Sequence, residues 1–288
     1  MSVRWPAKTV RENSPTARLC ILAESDPVWG LSAWERAIPP LRKAGHEVIG
    51  IWECPAILPK RRGYQVPLWY LRTFGLGPFF LLTVFALLAR SRRAILSRGG
   101  RCSSSFAELA GQHGAHYQRT GSPNDRRFVE WVRDNRTDIL LIMASFVLQK
   151  PIIEAPRLGC INKHAAALPA NRGLFPYFWA RLNGTLQGVS YHEVVAAIDE
   201  GPLLYQHTDF NEHQLNSMVS FYFEVFSRFP EDITRAVDAR VHSFHVEPRP
   251  GMAPSYFGLP TRADYRRFLA TGGRVVRLAD LKRVFQLC

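Results

Sequence analysis

Asn162 and His164 stand two residues apart in the run Gly159-Cys160-Ile161-Asn162-Lys163-His164, and a carboxylate returns downstream in Asp199-Glu200-Gly201-Pro202. Between them lies a loop punctuated by Pro169 and Gly173. An amide N–H and an imidazole can donate hydrogen bonds to an oxygen that becomes negative during acyl transfer, while a carboxylate can orient the imidazole or carry a proton. Each piece alone has a plainer use. An Asn-x-His pair in a strand is commonly a structural hydrogen bond, and Asp-x-Gly is commonly a turn.

These residues need a scaffold, and the pattern around them supplies one. Residues 160–164 read as a strand, in which positions two apart share a face, so Asn162 and His164 point together and Lys163 points the other way. The run Asp138-Ile139-Leu140-Leu141-Ile142-Met143-Ala144 is the most apolar strand of the chain and reads as buried on both faces. Its end, Ala144-Ser145-Phe146, lies where open α/β sheets place ligands.

Upstream, a strand at 18–23, a helix at 32–44 closed by Gly45, and a strand at 46–52 make a βαβ unit with a right-handed crossover expected. A helix at 106–113, a short strand at 115–118 and a helix at 124–135 with Asn124 as its N-cap continue the alternation. Downstream come a short helix near 151–155, an aromatic-rich helix at 175–182, strands at 188–195 and 202–210, and a long helix at 216–241 that Pro230 is expected to interrupt. The fold class is therefore α/β with a mostly parallel sheet and helices on both faces. Gly75-x-Gly77 lacks a third glycine and a preceding strand, so no dinucleotide fingerprint is present.

At 288 residues the chain has length for one large or two modest domains. The expected division is a flexible tail over 1–17, a catalytic domain over 18–242 and a short basic extension over 243–288. Cys20, Cys54, Cys102, Cys160 and Cys288 are scattered and include no Cys-x-x-Cys, which points away from a disulfide framework and from a zinc site. No apolar run follows the polar N-terminus, so a secretory signal is not expected and a cytoplasmic location is. The formal charge of +13 makes an acidic partner, tRNA included, worth weighing, although charge governs association rather than chemistry. The arginines near the C-terminus read first as a solvated face.

The stretch 55–73, with three prolines and the basic run Lys60-Arg61-Arg62, shows no period and reads as a loop. It leads into an apolar helix over 74–89, which is shorter than a spanning helix needs and is expected inside the core or between subunits. Peripheral membrane contact is the sharper reading, because Arg72 precedes the segment and Arg90, Arg92, Arg93, Arg98 and Arg101 follow it.

Taken together, Asp138-Ile139-Leu140-Leu141, Gly159-Cys160-Ile161-Asn162-x-His164, Leu168-Pro169-x-x-Arg172-Gly173-x-x-Pro176, Gly188-Val189-x-x-His192 and Asp199-x-Gly201-Pro202-x-x-x-Gln206 resemble the folate-dependent formyltransferase family. That family includes the methionyl-tRNA, glycinamide ribonucleotide and amino-sugar formyltransferases. The resemblance implies a Rossmann-like sheet without the dinucleotide glycines and 10-formyltetrahydrofolate as co-substrate, with no metal. It places the catalytic roles on Asn162, His164 and Asp199. It implies folate contacts from Ala144, Ser145, Phe146, Val147, Leu168 and Gly201, and acceptor-side roles for Arg172, Gly173 and His192. Ala165-Ala166-Ala167 departs from the triplet the family often carries after its histidine, which alters the lining of that loop.

The expected activity is transfer of a formyl group to a primary amine of a small molecule, a sugar or a lipid-linked acceptor. A methionyl-tRNA formyltransferase-like enzyme is the alternative; against it, the residues after the long helix are too few for that group's C-terminal barrel. A non-catalytic homologue that binds folate or a partner protein is the third reading.

Overall fold

The computed structural model describes residues 15–58, 61, 63–210 and 215–287. Most of the expected tail, Pro59, Lys60, Arg62, residues 211–214 and Cys288 lie outside them.

Strand β1 (Arg18–Glu24) shows how the sheet is built. Leu19, Ile21 and Ala23 enter one apolar layer while Cys20 and Leu22 enter the other, so alternate residues of one strand are buried on both faces. Helix α1 (Gly30–Lys43) carries the chain to β2 (Glu47–Cys54). Helices α2 (Gln65–Phe74), α3 (Leu76–Arg98) and α4 (Phe106–Gln112) precede β3 (His116–Arg119). Then come α5 (Arg126–Asp134), β4 (Ile139–Met143), α6 (Lys150–Ile153) and β5 (Cys160–His164). The sheet has seven strands in the order β3-β2-β1-β4-β5-β7-β8, where β7 is Val189–Glu193 and β8 is Leu203–His207. Strands β1 to β5 run parallel, and β7 and β8 are antiparallel additions beyond β5.

The two-residue β6 (Arg172–Gly173) pairs with β9 (Tyr256–Phe257), which ties the reaction loop to the C-terminal region. Helix α7 (Pro176–Asn183) follows β6, and α8 (Met218–Val241) packs across the sheet against α1. A final α9 (Arg262–Ala270) and a 3-10 helix (Leu278–Gln286) complete the described chain.

Several expectations are corrected. Residues 65–74 form a helix rather than a loop, because Pro67 sits in its first turn, where a missing N–H breaks no helical bond. Helix α5 is capped by Asp125, whose carboxylate accepts from the Arg127 N–H at 3.1 Å, and not by Asn124. The Asn124 side chain instead accepts from Gln149 N–H at 2.8 Å and donates to the Val147 carbonyl at 3.0 Å, latching the loop after β4. Helix α8 runs unbroken through Pro230, since Val225, Phe226, Phe229, Ile233 and Val237 are buried on both sides of it and hold the axis. Helix α3 extends through the arginines to Arg98 and buries Phe85 and Ala89 only, so it is not a core helix.

Candidate active site

Strand β5 is buried between β4 and β7, so its carboxyl end is held in fixed register. Asn162 pairs with Ile142 on one side and with His192 of β7 on the other. After β7 the chain leaves the sheet as Val194-Val195-Ala196-Ala197-Ile198 and turns at Asp199, whose φ of +54° is a conformation aspartate tolerates better than most side chains. Directly after it, Gly201 lies so close to β7 that a Cβ there would sit 1.8 Å from the Glu193 carbonyl oxygen.

This turn drops the Asp199 carboxylate into the middle of the polar groups. Oδ2 accepts from the Gly173 N–H at 2.9 Å and faces His164 Nδ1 at 3.6 Å. Oδ1 faces His192 Nε2 at 3.5 Å and the Asn162 amide nitrogen at 3.5 Å, and that nitrogen also lies 3.3 Å from His192 Nε2. The contacts among side chains are loose for hydrogen bonds and close enough for strong charge interaction, as catalytic groups commonly are before substrate tightens them.

Burial by itself would raise the Asp199 pKa. The His192 hydrogen bond, the His164 charge and the Gly173 N–H outweigh it and bring the carboxyl to about 2. Burial pulls His164 below its ordinary value, against the opposing pull of Asp199. Its Nε2 lies 2.9 Å from the Asn171 carbonyl oxygen, which can only accept, so Nε2 carries the proton and Nδ1 turns its lone pair toward Asp199 in the neutral ring. His192 Nδ1 lies 2.8 Å from the Glu193 carbonyl, which by the same logic leaves Nε2 as the acceptor beside Asn162 when the ring is neutral.

A cleft opens from this cluster between two apolar walls. One is Ile142, Ala144, Phe146, Val147 and Leu148; the other is the 194–198 segment; Asn162, His192 and Asp199 close its end. Of the residues expected to touch folate, Ala144, Phe146 and Val147 line this cleft. Ser145 lies beside them, its N–H donating to Glu24 at 2.7 Å. Leu168 and Gly201 are not among the lining residues. The Leu168 backbone is held by Ser190 Oγ at 3.1 Å and by the Gln206 amide at 2.9 Å, and Gly201 serves the close approach to Glu193.

Of the residues expected on the acceptor side, Arg172 is ion-paired with Glu200, and Gly173 adopts φ +92° to aim its N–H at Asp199. His192 lines the cleft and His164 does not, although both rings are buried. Sequence reasoning missed the 194–198 wall, whose apolar run reads as the continuation of a strand. It also missed the Asn124 latch.

An amide, two imidazoles and a carboxylate meet at the carboxyl edge of an open α/β sheet, and among the described residues no cluster of His, Cys, Asp and Glu could hold a metal ion. Residues 104–209 match the model of the formyl transferase family. Over 112 residues the chain is 34% identical to a methionyl-tRNA formyltransferase of Nitratidesulfovibrio vulgaris, covering 38% of this chain and 34% of that protein. The chain thus matches about a third of that curated relative's length. The fold is that of glycinamide ribonucleotide transformylase 1 from Symbiobacterium toebii, with a TM-score of 0.52 at 13% identity over 79% of this chain and 89% of that one. A sugar N-formyltransferase from Shewanella sp. FDAARGOS_354 gives 0.52 at 12% identity over 88% and 87%.

Proposed function

We propose that the chain is an N-formyltransferase that moves the formyl group of 10-formyltetrahydrofolate to a primary amine of a small molecule, a sugar or a lipid-linked acceptor. The observation that carries this reading is one carboxylate, Asp199, gathering Asn162, His164 and His192 at the end of an apolar slot. Walls of Ile142, Phe146, Val147 and Leu148 facing Val194, Val195 and Ile198 suit a flat heterocycle entering edge first.

In this reading the amine attacks the formyl carbon and the carbonyl oxygen becomes an oxyanion, to which the Asn162 amide donates. Losing one such preorganised donor costs about 3 to 4 kcal/mol of barrier. Asp199, at about 2, is too weak a base to take a proton outright near neutral pH, so it holds the imidazoles in place and stabilises them when charged. A neutral His164 is the better acceptor for the proton shed by the attacking nitrogen, taken up at Nδ1, and that proton returns to N10 of the leaving folate. Protonated, His164 donates from Nδ1 to Asp199 and from Nε2 to the Asn171 carbonyl, so it acts on the oxyanion through its charge.

The test is turnover on a screen of amino sugars, nucleotide-linked amino sugars and aminoacyl-tRNA, read from the absorbance of the folate product. Asn162→Ala is expected to lose on the order of a hundredfold to a thousandfold in kcat with little change in KM. If Asn162→Ala and His164→Ala both kept near-wild-type turnover on the accepted amine, the assignment would be wrong. Formylation of methionyl-tRNA is a second reading, supported by the 34% identical relative of that name and by the formal charge of +13. Salt-sensitive binding of initiator tRNA at micromolar affinity, with formylation of its aminoacyl group, would favour it.

A further inference from the structure

Residues 54–107 contain no Asp or Glu and carry nine Lys and Arg, so this stretch has charge of one sign only. It contains α3, which packs on the body through Phe85 and Ala89, beside Val219 of α8 and Val276, Val284 and Leu287 near the C-terminus. The opposite side of α3 is apolar and open. Leu76, Phe80 and Leu87 are 76%, 65% and 58% exposed and fall on one helical stripe, with Leu88 and Ile95 along its edge. Arg90 and Arg98 emerge from the same stripe, and Arg72 and Arg101 flank it, all exposed. None of these four takes part in an ion pair among the described residues. Arg92, on the packed side of the helix, is turned instead onto the C-terminal 3-10 helix, where its guanidinium donates to the Phe285 and Leu287 carbonyls and lies 5.7 Å from the Phe285 ring centroid.

We propose that the outer face of α3 is a docking surface for an anionic membrane, on which the helix lies in the headgroup plane. Leucine and phenylalanine on one stripe with arginines and no carboxylates is the composition that seats a helix at a lipid surface. No helix among the described residues is long and apolar enough to cross a membrane, so the contact is peripheral. A second copy of the chain fits the face poorly, because a two-fold contact would bring together two copies of a face that carries arginines and no carboxylate to neutralise them. Nucleic acid fits it less well, because apart from Phe80 the open apolar side chains, Leu76, Leu87, Leu88 and Ile95, are aliphatic and serve neither phosphate contacts nor base stacking.

The whole chain is sedimented with phosphatidylcholine vesicles containing phosphatidylglycerol, and with vesicles of phosphatidylcholine alone, at low and at moderate salt. It should pellet with the anionic vesicles and release as salt rises. The double variant F80E/L87E should bind on the order of a hundredfold more weakly, since two large apolar anchors become charges. R90E/R98E should weaken binding at least about fivefold for each arginine lost. Both variants should retain the far-ultraviolet circular dichroism of the parent. The proposal is overturned by no pelleting at low salt, by equal pelleting with neutral lipid, or by unchanged binding of both variants. Sedimentation velocity showing a dimer that F80E/L87E dissolves, or RNA binding that F80E/L87E abolishes while vesicles are ignored, would overturn it as well.

Discussion

Replacing Asp199 by asparagine removes the charge and keeps the shape. The carboxylate only accepts: Oδ2 takes the Gly173 N–H, and Oδ1 faces the Asn162 amide. The amide of D199N must turn a donor toward one of these two donors, whichever way it is flipped. The stabilisation at stake can be read from the carboxyl itself, which falls from 3.8 to about 2 despite burial. At about 1.4 kcal/mol for each tenfold, the ionised form gains about 2 to 3 kcal/mol from its partners beyond what burial takes away. Because the folded carboxyl holds its proton less tightly than the unfolded one, this contribution is present in full above 3.8 and vanishes as pH falls through about 2.

The D199N chain should therefore unfold about 2 to 3 kcal/mol more easily in urea at mildly acid pH, where His164 is charged, and the gap to the parent should close as the pH is lowered from about 4 to about 2. Turnover should fall by about two to four orders of magnitude, because His164 loses the charge that stabilises its protonated form. A variant with parental turnover, or a stability gap that stays constant down to about pH 2, would refute the reasoning: the first denies the carboxylate its role, the second its charge.

Two further outcomes follow from the same contacts. Burial lowers His164 below 6.5, so the ring is neutral at pH 7, and kcat/KM should hold level there and fall only on an acid limb with an apparent pKa below 6.5. The limb should vanish in H164N, and an acid limb that persists in that variant would assign it to another group. G201A puts a Cβ 1.8 Å from the Glu193 carbonyl, so β7 or the Asp199 turn must move. An urea midpoint lowered by the equivalent of about 1 to 3 kcal/mol, together with weakened turnover, is expected, and an unchanged midpoint would show that the approach is not close.

Strand periodicity reached far into this site. The alternation along Cys160–His164 is enough to set Asn162 and His164 on the face away from Lys163, and the apolar run at 139–143 marks the strand beside it. What alternation does not carry is which histidine meets the cleft. His164 faces one oxygen of Asp199 and His192 the other, and it is His192 that lines the cleft, because the antiparallel pairing of β5 and β7 brings it opposite Asn162. The 194–198 segment keeps the apolar composition of a strand after the chain has left the sheet, so its role as a wall depends on the turn at Asp199. Helix α2 was hidden by Pro67, and the seat of α3 by the lack of any period in an all-apolar run. Which side of such a run is covered depends on residues 276–287, nearly two hundred positions away.

Strand β5 carries opposite chemistries on its two faces, and each depends on the other. On the face away from Asn162 and His164, Lys163 turns into the apolar layer that also holds Leu19 and Ile21, with its Nζ 4.0 Å from the centre of the Phe226 ring. Burial pulls it down to about 8, while the charge of Asp26 holds it up. Asp26 is itself raised by burial, against the N–H groups of Trp29 and Val28, each 2.8 Å from Oδ1 at the start of α1. Removing either charge would strand the other, so the pair fixes α1, α8 and β5 to one another rather than adding much net stability. It also fills the start of α1 with the chain's own carboxylate, where a helix at the carboxyl edge of such a sheet would otherwise receive a phosphate. An anionic acceptor that sought that position would have to displace Asp26. Attraction for negative partners must therefore come from elsewhere on this basic chain, and the stretch whose own sequence holds no carboxylate is 54–107, on and around α3.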